Sequence, residues 1–288
     1  MASKQMQAFL DGLRNQPSKK ADLGPIEKQR ASMDEFMSGQ PVPGNVEIED
    51  FVLANRPARR YLPQGELSEG GILYLHGGGY RVGSLNSHNA FMAHLAVACN
   101  AMVIGLDYRL APENPYPAAL DDAVAAFAGM TELVAAGKIM IAGDSAGGGL
   151  ALACTLRLKD ESLPLPGCTA LLSPATDLTC SAESLGSNRD QFAKGVAAYV
   201  GDHPPDTVGV SPLFGDMAGL PPMLIQVVSD EALLDDSVRL EQRAKDAGVS
   251  VDMRLFDEAF HVFQIFTEFP ESQDALSDLG RFYKLHIR

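Results

Sequence analysis

The chain has 288 residues, 46% of them hydrophobic and 21% charged, an ordinary globular composition that can fill a sizeable core. Its formal net charge of -14 disfavours nucleic acid or an anionic membrane surface as a partner. No run of about 18 apolar residues exists to cross a bilayer, and Met1 to Asn15 lacks the unbroken apolar core of an export signal, so the expected location is cytoplasmic.

Residues 1 to about 45 carry two short amphipathic patterns. Met6, Phe9, Leu10 and Leu13 recur at helical spacing. After a break at Gln16 to Ser18, Ile26, Met33, Phe36 and Met37 do so less regularly, and Pro41-Val42-Pro43-Gly44 closes the segment. These helices either pack on a core or form a lid whose Met and Phe side chains line an apolar pocket. Val46 to Leu53 and Ala58 to Leu62 read as antiparallel strands at a sheet edge. Gly71 to Leu75 is a buried strand, and His76-Gly77-Gly78-Gly79-Tyr80 follows at once. A helix fits Ser87 to Cys99. The strand Ala101 to Leu106 then leads into Asp107 to Pro117, whose prolines forbid regular structure.

Asp121 to Ala136 is helical and Ile139 to Ala142 is a short buried strand. Gly143-Asp144-Ser145-Ala146-Gly147 comes next, and a small-residue helix runs to about Leu158. Gly167 to Leu172 is again a strand. Ser173 to Ser211 loses clear periodicity and gathers Gly, Pro, Ser and Asp; in a compact domain, so long a stretch points to a lid or binding loop. Pro222 to Val228 is a buried strand and Leu233 to Ala247 a helix. Val249, Val251, Met253 and Leu255 alternate as a strand should. The end, from about Val262, is helical with a break at Pro270. Four cysteines, Cys99, Cys154, Cys168 and Cys180, are too widely spaced for a C-x-x-C pair, and buried reduced thiols are expected.

Strands alternating with helices imply a mostly parallel sheet covered on both faces, with ligands bound at the carboxyl ends of the strands. The residues that follow each strand therefore carry most of the functional information. Gly143 to Gly147 fits G-x-S-x-G between a strand and a helix, where Ser145 sits at a sharp corner with its hydroxyl exposed. Glycine at 143 and 147 answers to the close approach of backbones at such a corner.

A serine hydroxyl becomes a useful nucleophile when a base takes its proton and an acid fixes the tautomer of that base. Among six histidines, His261 stands in a loop after a strand, where it can swing onto Ser145. Asp230 directly follows the strand ending at Val228 and is the expected acid, with Glu231, Asp235 and Asp236 as nearby rivals. Asp235 and Asp236 fall in the first turn of the next helix, where the dipole favours anions. The backbone N–H groups of Ala146 and of the glycine loop suit a developing oxyanion. Tyr80, next to that loop, and Asp144, next to the serine, are expected to touch substrate. No metal site is expected.

HGGGY at 76–80, DYRLAPENPYPAALDD at 107–122, GDSAGG at 143–148, SDEALLDDS at 229–237 and FHVF at 260–263 resemble the hormone-sensitive-lipase family of bacterial esterases, in order, over about residues 46–288. The resemblance implies an α/β-hydrolase fold: a mostly parallel central sheet, helices on both faces and a helical cap. It implies a triad of Ser145, Asp230 and His261, in the chain order of that fold, and an oxyanion hole of Gly78, Gly79 and Ala146. Residues 1–45 correspond to the cap, 46–288 to the catalytic domain, and 173–211 to a cap or lid insertion. Asp107 and Arg109 read as scaffold. One departure stands out. Many members have D-P-L-x-D after the seventh strand, whereas here the spacing from Asp230 to Asp235 is one residue longer.

The expected activity is hydrolysis of short- to medium-chain acyl esters through an acyl-enzyme, without a cofactor. The expected partner is a small-molecule ester, with no stable membrane association; the resemblance allows a homodimer, since family members are often dimers, but no segment here shows an interface on its own. A lactone or acetylated sugar would use the same machinery. A binding protein on this fold, like the plant receptors that have lost the histidine, is disfavoured by His261. A peptidase is disfavoured by the want of room for a large extra domain.

Overall fold

Short apolar runs bounded by glycine and polar turns become the strands of one sheet, because a parallel strand buried on both faces needs no polar alternation. The computed structural model describes residues 2–14 and 24–287, so the break expected at Gln16 to Ser18 lies outside the described residues. The strands are β1 (Val46–Leu53), β2 (Arg56–Pro63), β3 (Gly71–Leu75), β4 (Met102–Leu106), β5 (Ile139–Asp144), β6 (Cys168–Leu172), β7 (Met223–Val228) and β8 (Val251–Phe256). Their spatial order is β1-β2-β4-β3-β5-β6-β7-β8. The first two strands pair antiparallel, and β2 also runs antiparallel to β4; the rest are parallel.

The helices are α1 (Lys4–Arg14), α2 (Ile26–Met37), α3 (Asn89–Cys99), α4 (Ala118–Thr131), α5 (Ala146–Asp160), α6 (Arg189–Val200), α7 (Leu234–Asp246) and α8 (Pro270–His286). The period-2 geometry of strands divides the core in two. Leu73, Leu75, Ile139 and Ile141 face a layer built from α4, α5 and α7. Ile72, Tyr74, Met140 and Ala142 face α3 and α8. The sheet is thus the α/β-hydrolase architecture expected from the motifs. All four cysteines are buried and unpaired, as expected. Arg109 is scaffold: its guanidinium forks onto Asp122 through Nε at 3.0 Å and Nη2 at 2.8 Å.

Residues 173–211 depart from the sequence reading. This stretch is not structureless; it contains α6, preceded by a tight 3-10 turn at Glu183–Asn188. Among the described residues, no helix is long and apolar enough to cross a membrane.

Candidate active site

The site begins where β5 runs out. Ser145 occupies φ 51°, ψ -119°, outside the regions a side chain prefers, and α5 starts at the next residue. Hydrogen bonds hold this corner from both sides: Ser145 N donates to Leu172 O at 2.8 Å, and Ser145 O accepts from Ala175 N at 2.9 Å. A Cβ on Gly147 would run into Leu75 O and His76 O, and one on Gly143 into Gly147 O and Leu75 O. The two glycines expected from the sequence are therefore required by close backbone contact with β3.

His261 follows β8 on a loop and meets the serine: its Nε2 lies 3.0 Å from Ser145 Oγ. Phe260 anchors this loop against Phe9 of α1, with ring centroids 4.8 Å apart, and against Phe266 at 5.2 Å. The first helix thereby braces the segment that carries the imidazole.

The other ring nitrogen corrects the sequence expectation. His261 Nδ1 lies 3.1 Å from Glu231 Oε2, not beside Asp230. The chain turns at Ser229 and Asp230 as it leaves β7, and Asp230 points to solvent. Glu231 is folded under, only 8% exposed, and its Oε2 also accepts a hydrogen bond from Ser173 Oγ at 3.0 Å. Adjacent residues on a turning extended chain face opposite ways, so only one of the two carboxylates can look inward. The longer of the two side chains does so. A signal existed: counted from Glu231 rather than Asp230, the acidic residue at 235 falls at the D-P-L-x-D spacing.

Gly78 and Gly79 lie on the loop after β3 at φ +117° and +61°, a region open to glycine at little cost. The N–H groups of Gly78, Gly79 and Ala146 donate to no described acceptor, while Gly78 and Gly79 line the same cavity as Ser145 and His261. Asp144 belongs to the support of this loop. It is 2% exposed and accepts from Gly77 N at 2.9 Å and from the Tyr74 hydroxyl at 2.6 Å, with His88 Nε2 nearby at 3.3 Å. Burial raises its carboxyl, but the neighbouring His88 and Tyr74 outweigh this and hold it below the usual range. Burial, seconded by His88, pulls His76 down to about 4, so that ring is a neutral plate stacked on Tyr108 at 4.4 Å.

Asp144 and Tyr80 are therefore not substrate contacts, contrary to the sequence expectation. Their burial under the glycine loop is the reason. Tyr80 is 1% exposed and lies flat on Tyr199 of α6, with centroids 3.6 Å apart.

Above Ser145 opens a cavity of about 470 Å³. Leu185, Phe192, Gly195, Val196 and Leu233 make an apolar wall, and Gln29 of α2 and Arg81 also line the cavity. Sequence reasoning found none of these wall residues: it read 173–211 as one aperiodic stretch, although Phe192, Val196, Tyr199 and Val200 recur at helical spacing within it. It also missed how α7 pins the neighbouring segment: Asp236 Oδ2 accepts from Thr176 N at 2.7 Å and Asp177 N at 2.9 Å, and Asp235 Oδ2 from Ser184 N at 2.8 Å.

A family model for the α/β-hydrolase fold matches residues 72–265. An esterase of Acinetobacter venetianus is 42% identical over 222 residues, 73% of each chain. An acetyl-hydrolase of Streptomyces hygroscopicus is 37% identical over 278 residues, covering 91% of this chain and 90% of its own. The crystal structure of an esterase from the bacterial hormone-sensitive lipase family superposes with TM-score 0.92 at 34% identity, over the full length of both chains. The chain belongs to the α/β-hydrolase family, among the esterases of hormone-sensitive-lipase type. In this α/β-hydrolase, the serine, histidine and carboxylate meet at the carboxyl rim of β5, β7 and β8, where the fold gathers ligands.

Proposed function

We propose that this carboxylic ester hydrolase cleaves short- to medium-chain acyl esters through an acyl-enzyme on Ser145. The observation that carries the reading is one imidazole placed between two partners, 3.0 Å from the Ser145 hydroxyl and 3.1 Å from the buried Glu231 carboxylate, at the floor of a cavity. With Nδ1–H donating to Glu231, Nε2 is free to accept the serine proton as Oγ attacks the ester carbonyl. The tetrahedral oxyanion takes hydrogen bonds from Gly78, Gly79 and Ala146 N–H, whose donors are uncommitted. Glu231 stabilises the imidazolium, which then protonates the departing alcohol. Water, deprotonated by the same imidazole, releases the acid.

The segment up to residue 45 and the 173–211 insertion act as the cap over this cavity, a reading supported by Gln29 of α2 and by Phe192 and Val196 of α6 in its lining. A short acyl arm is supported by the cavity's modest volume and by the likeness to an acetyl-hydrolase. Four buried free thiols support residence in the reducing cytoplasm.

An organophosphonate should label Ser145 covalently and leave Ser145→Ala unmodified by mass spectrometry. p-Nitrophenyl esters from acetyl to dodecanoyl should be hydrolysed with kcat/KM falling toward the long end. Absence of labelling, or equal rates along the series, would overturn the respective half of the proposal.

A further inference from the structure

Arg81 is the one described arginine whose side chain makes no hydrogen bond or ion pair. The comparison is informative because the others are well occupied. Arg30 forks onto Glu113, Arg109 onto Asp122 and Arg59 onto Asp50, while Arg189 and Arg243 donate to carbonyls. Arg81 Nε is nevertheless buried from solvent without an acceptor. Desolvating part of a guanidinium with nothing to pair it is unfavourable, and natural interiors rarely leave such a donor unmet.

Its position gives this a use. Arg81 follows the glycine loop and lines the same cavity as Ser145 and His261. Among the described residues no carboxylate lines that cavity, although the chain holds 37 Asp and Glu. Glu231, the buried acid of the triad, is already engaged by His261 and Ser173. The cavity therefore presents an uncompensated positive group inside a protein of net charge -14. At physiological ionic strength the distant negative charges are screened beyond about 8 Å, so the local guanidinium sets the potential felt by a bound ester. A guanidinium matches a carboxylate in a two-pronged pair better than any neutral group.

We propose that Arg81 is a specificity-determining residue that binds a carboxylate carried by the ester substrate. The natural substrates are then anionic esters, with one carboxyl esterified and cleaved at Ser145 and another acidic group held at Arg81. This rests on the serine-esterase reading above and narrows its substrate class.

The test uses two matched pairs at constant ionic strength. The acyl pair is the p-nitrophenyl monoester of adipic acid against p-nitrophenyl heptanoate. The alcohol pair is the butyrate ester of 4-hydroxybenzoate against that of 4-methylphenol. Phosphonate titration of Ser145 first counts competent sites in wild type, Arg81→Gln, Arg81→Ala, Arg81→Lys and the remote control Arg157→Gln. The charged-to-neutral ratio of kcat/KM should fall about tenfold, about 1.4 kcal/mol, in Arg81→Gln and Arg81→Ala for at least one pair. The loss should lie mainly in KM, Arg81→Lys should recover part of it, and Arg157→Gln should retain the wild-type ratio. Ratios unmoved in both pairs, or moved as much by Arg157→Gln, overturn the assignment. Failure of wild type to cleave any of the four esters would instead overturn the esterase reading beneath it.

Discussion

Exchanging carboxylates at two neighbouring positions tests the site most directly. Glu231→Gln keeps the size of the side chain and removes the charge facing His261. In the transition state the imidazole is positive, and a carboxylate about 3.1 Å away contributes roughly 5 kcal/mol at an effective dielectric constant near 20. That corresponds to almost four powers of ten in rate. The His261 side chain is 43% exposed, so solvent screens part of this, and the expected fall in kcat is about 10³- to 10⁴-fold with KM little changed. Asp230→Asn removes an exposed charge and should change kcat by less than about threefold. Glu231→Asp withdraws the carboxylate by one methylene from both His261 and Ser173 and should fall between the two. Steady-state hydrolysis of p-nitrophenyl butyrate, normalised to phosphonate-reactive Ser145, gives the comparison. A larger loss in Asp230→Asn than in Glu231→Gln would refute the assignment of the acid.

Two further expectations follow from α7 and α6. Burial pushes the Asp236 carboxyl up to about 7, against the hydrogen bonds it receives from Asp177 and Thr176. The proton it takes up on folding stabilises the native state fully below its ordinary value of 3.8, and that stabilisation is lost as the pH climbs through about 7. Asp236→Asn cannot ionise, so its Tm relative to wild type should rise between about pH 5 and pH 8; a constant difference would argue against a protonated buried acid. Gly195 sits inside α6, where a glycine costs up to about 1 kcal/mol relative to good helix formers, yet a Cβ there would meet nothing within 4 Å. Gly195→Leu should therefore raise Tm while filling the cavity, and kcat/KM for octanoate should drop at least about tenfold relative to acetate. Unchanged chain-length preference would show that α6 does not limit the substrate.

The sheet was legible because buried parallel strands leave short apolar runs, such as Ile139 to Ala142, that few other elements mimic. Ser145 and His261 were legible for a related reason: strand ends place them, and strand ends are marked by glycine and by charge. The choice between Asp230 and Glu231 was not, since the deciding quantity is the sense in which the chain turns after Val228. Local composition is silent on that, and the motif spacing was the available clue. Helix α6 escaped because the Gly, Pro, Ser and Asp residues around it in 173–211 hid its own stripe, Phe192, Val196, Tyr199 and Val200, which packs against the core. Tyr80 and Asp144 were misplaced through adjacency: a neighbour in sequence to a reacting group can point to the opposite side of the chain.

The stacked rings of Tyr80 and Tyr199 join the two halves of the site mechanically. One ring continues the loop that offers hydrogens to the anion, and the other belongs to the helix that bounds the guest. A molecule too bulky for the space would press on that helix, and the ring pair would carry the displacement to the donors. Poor fit would then register in turnover as well as in binding.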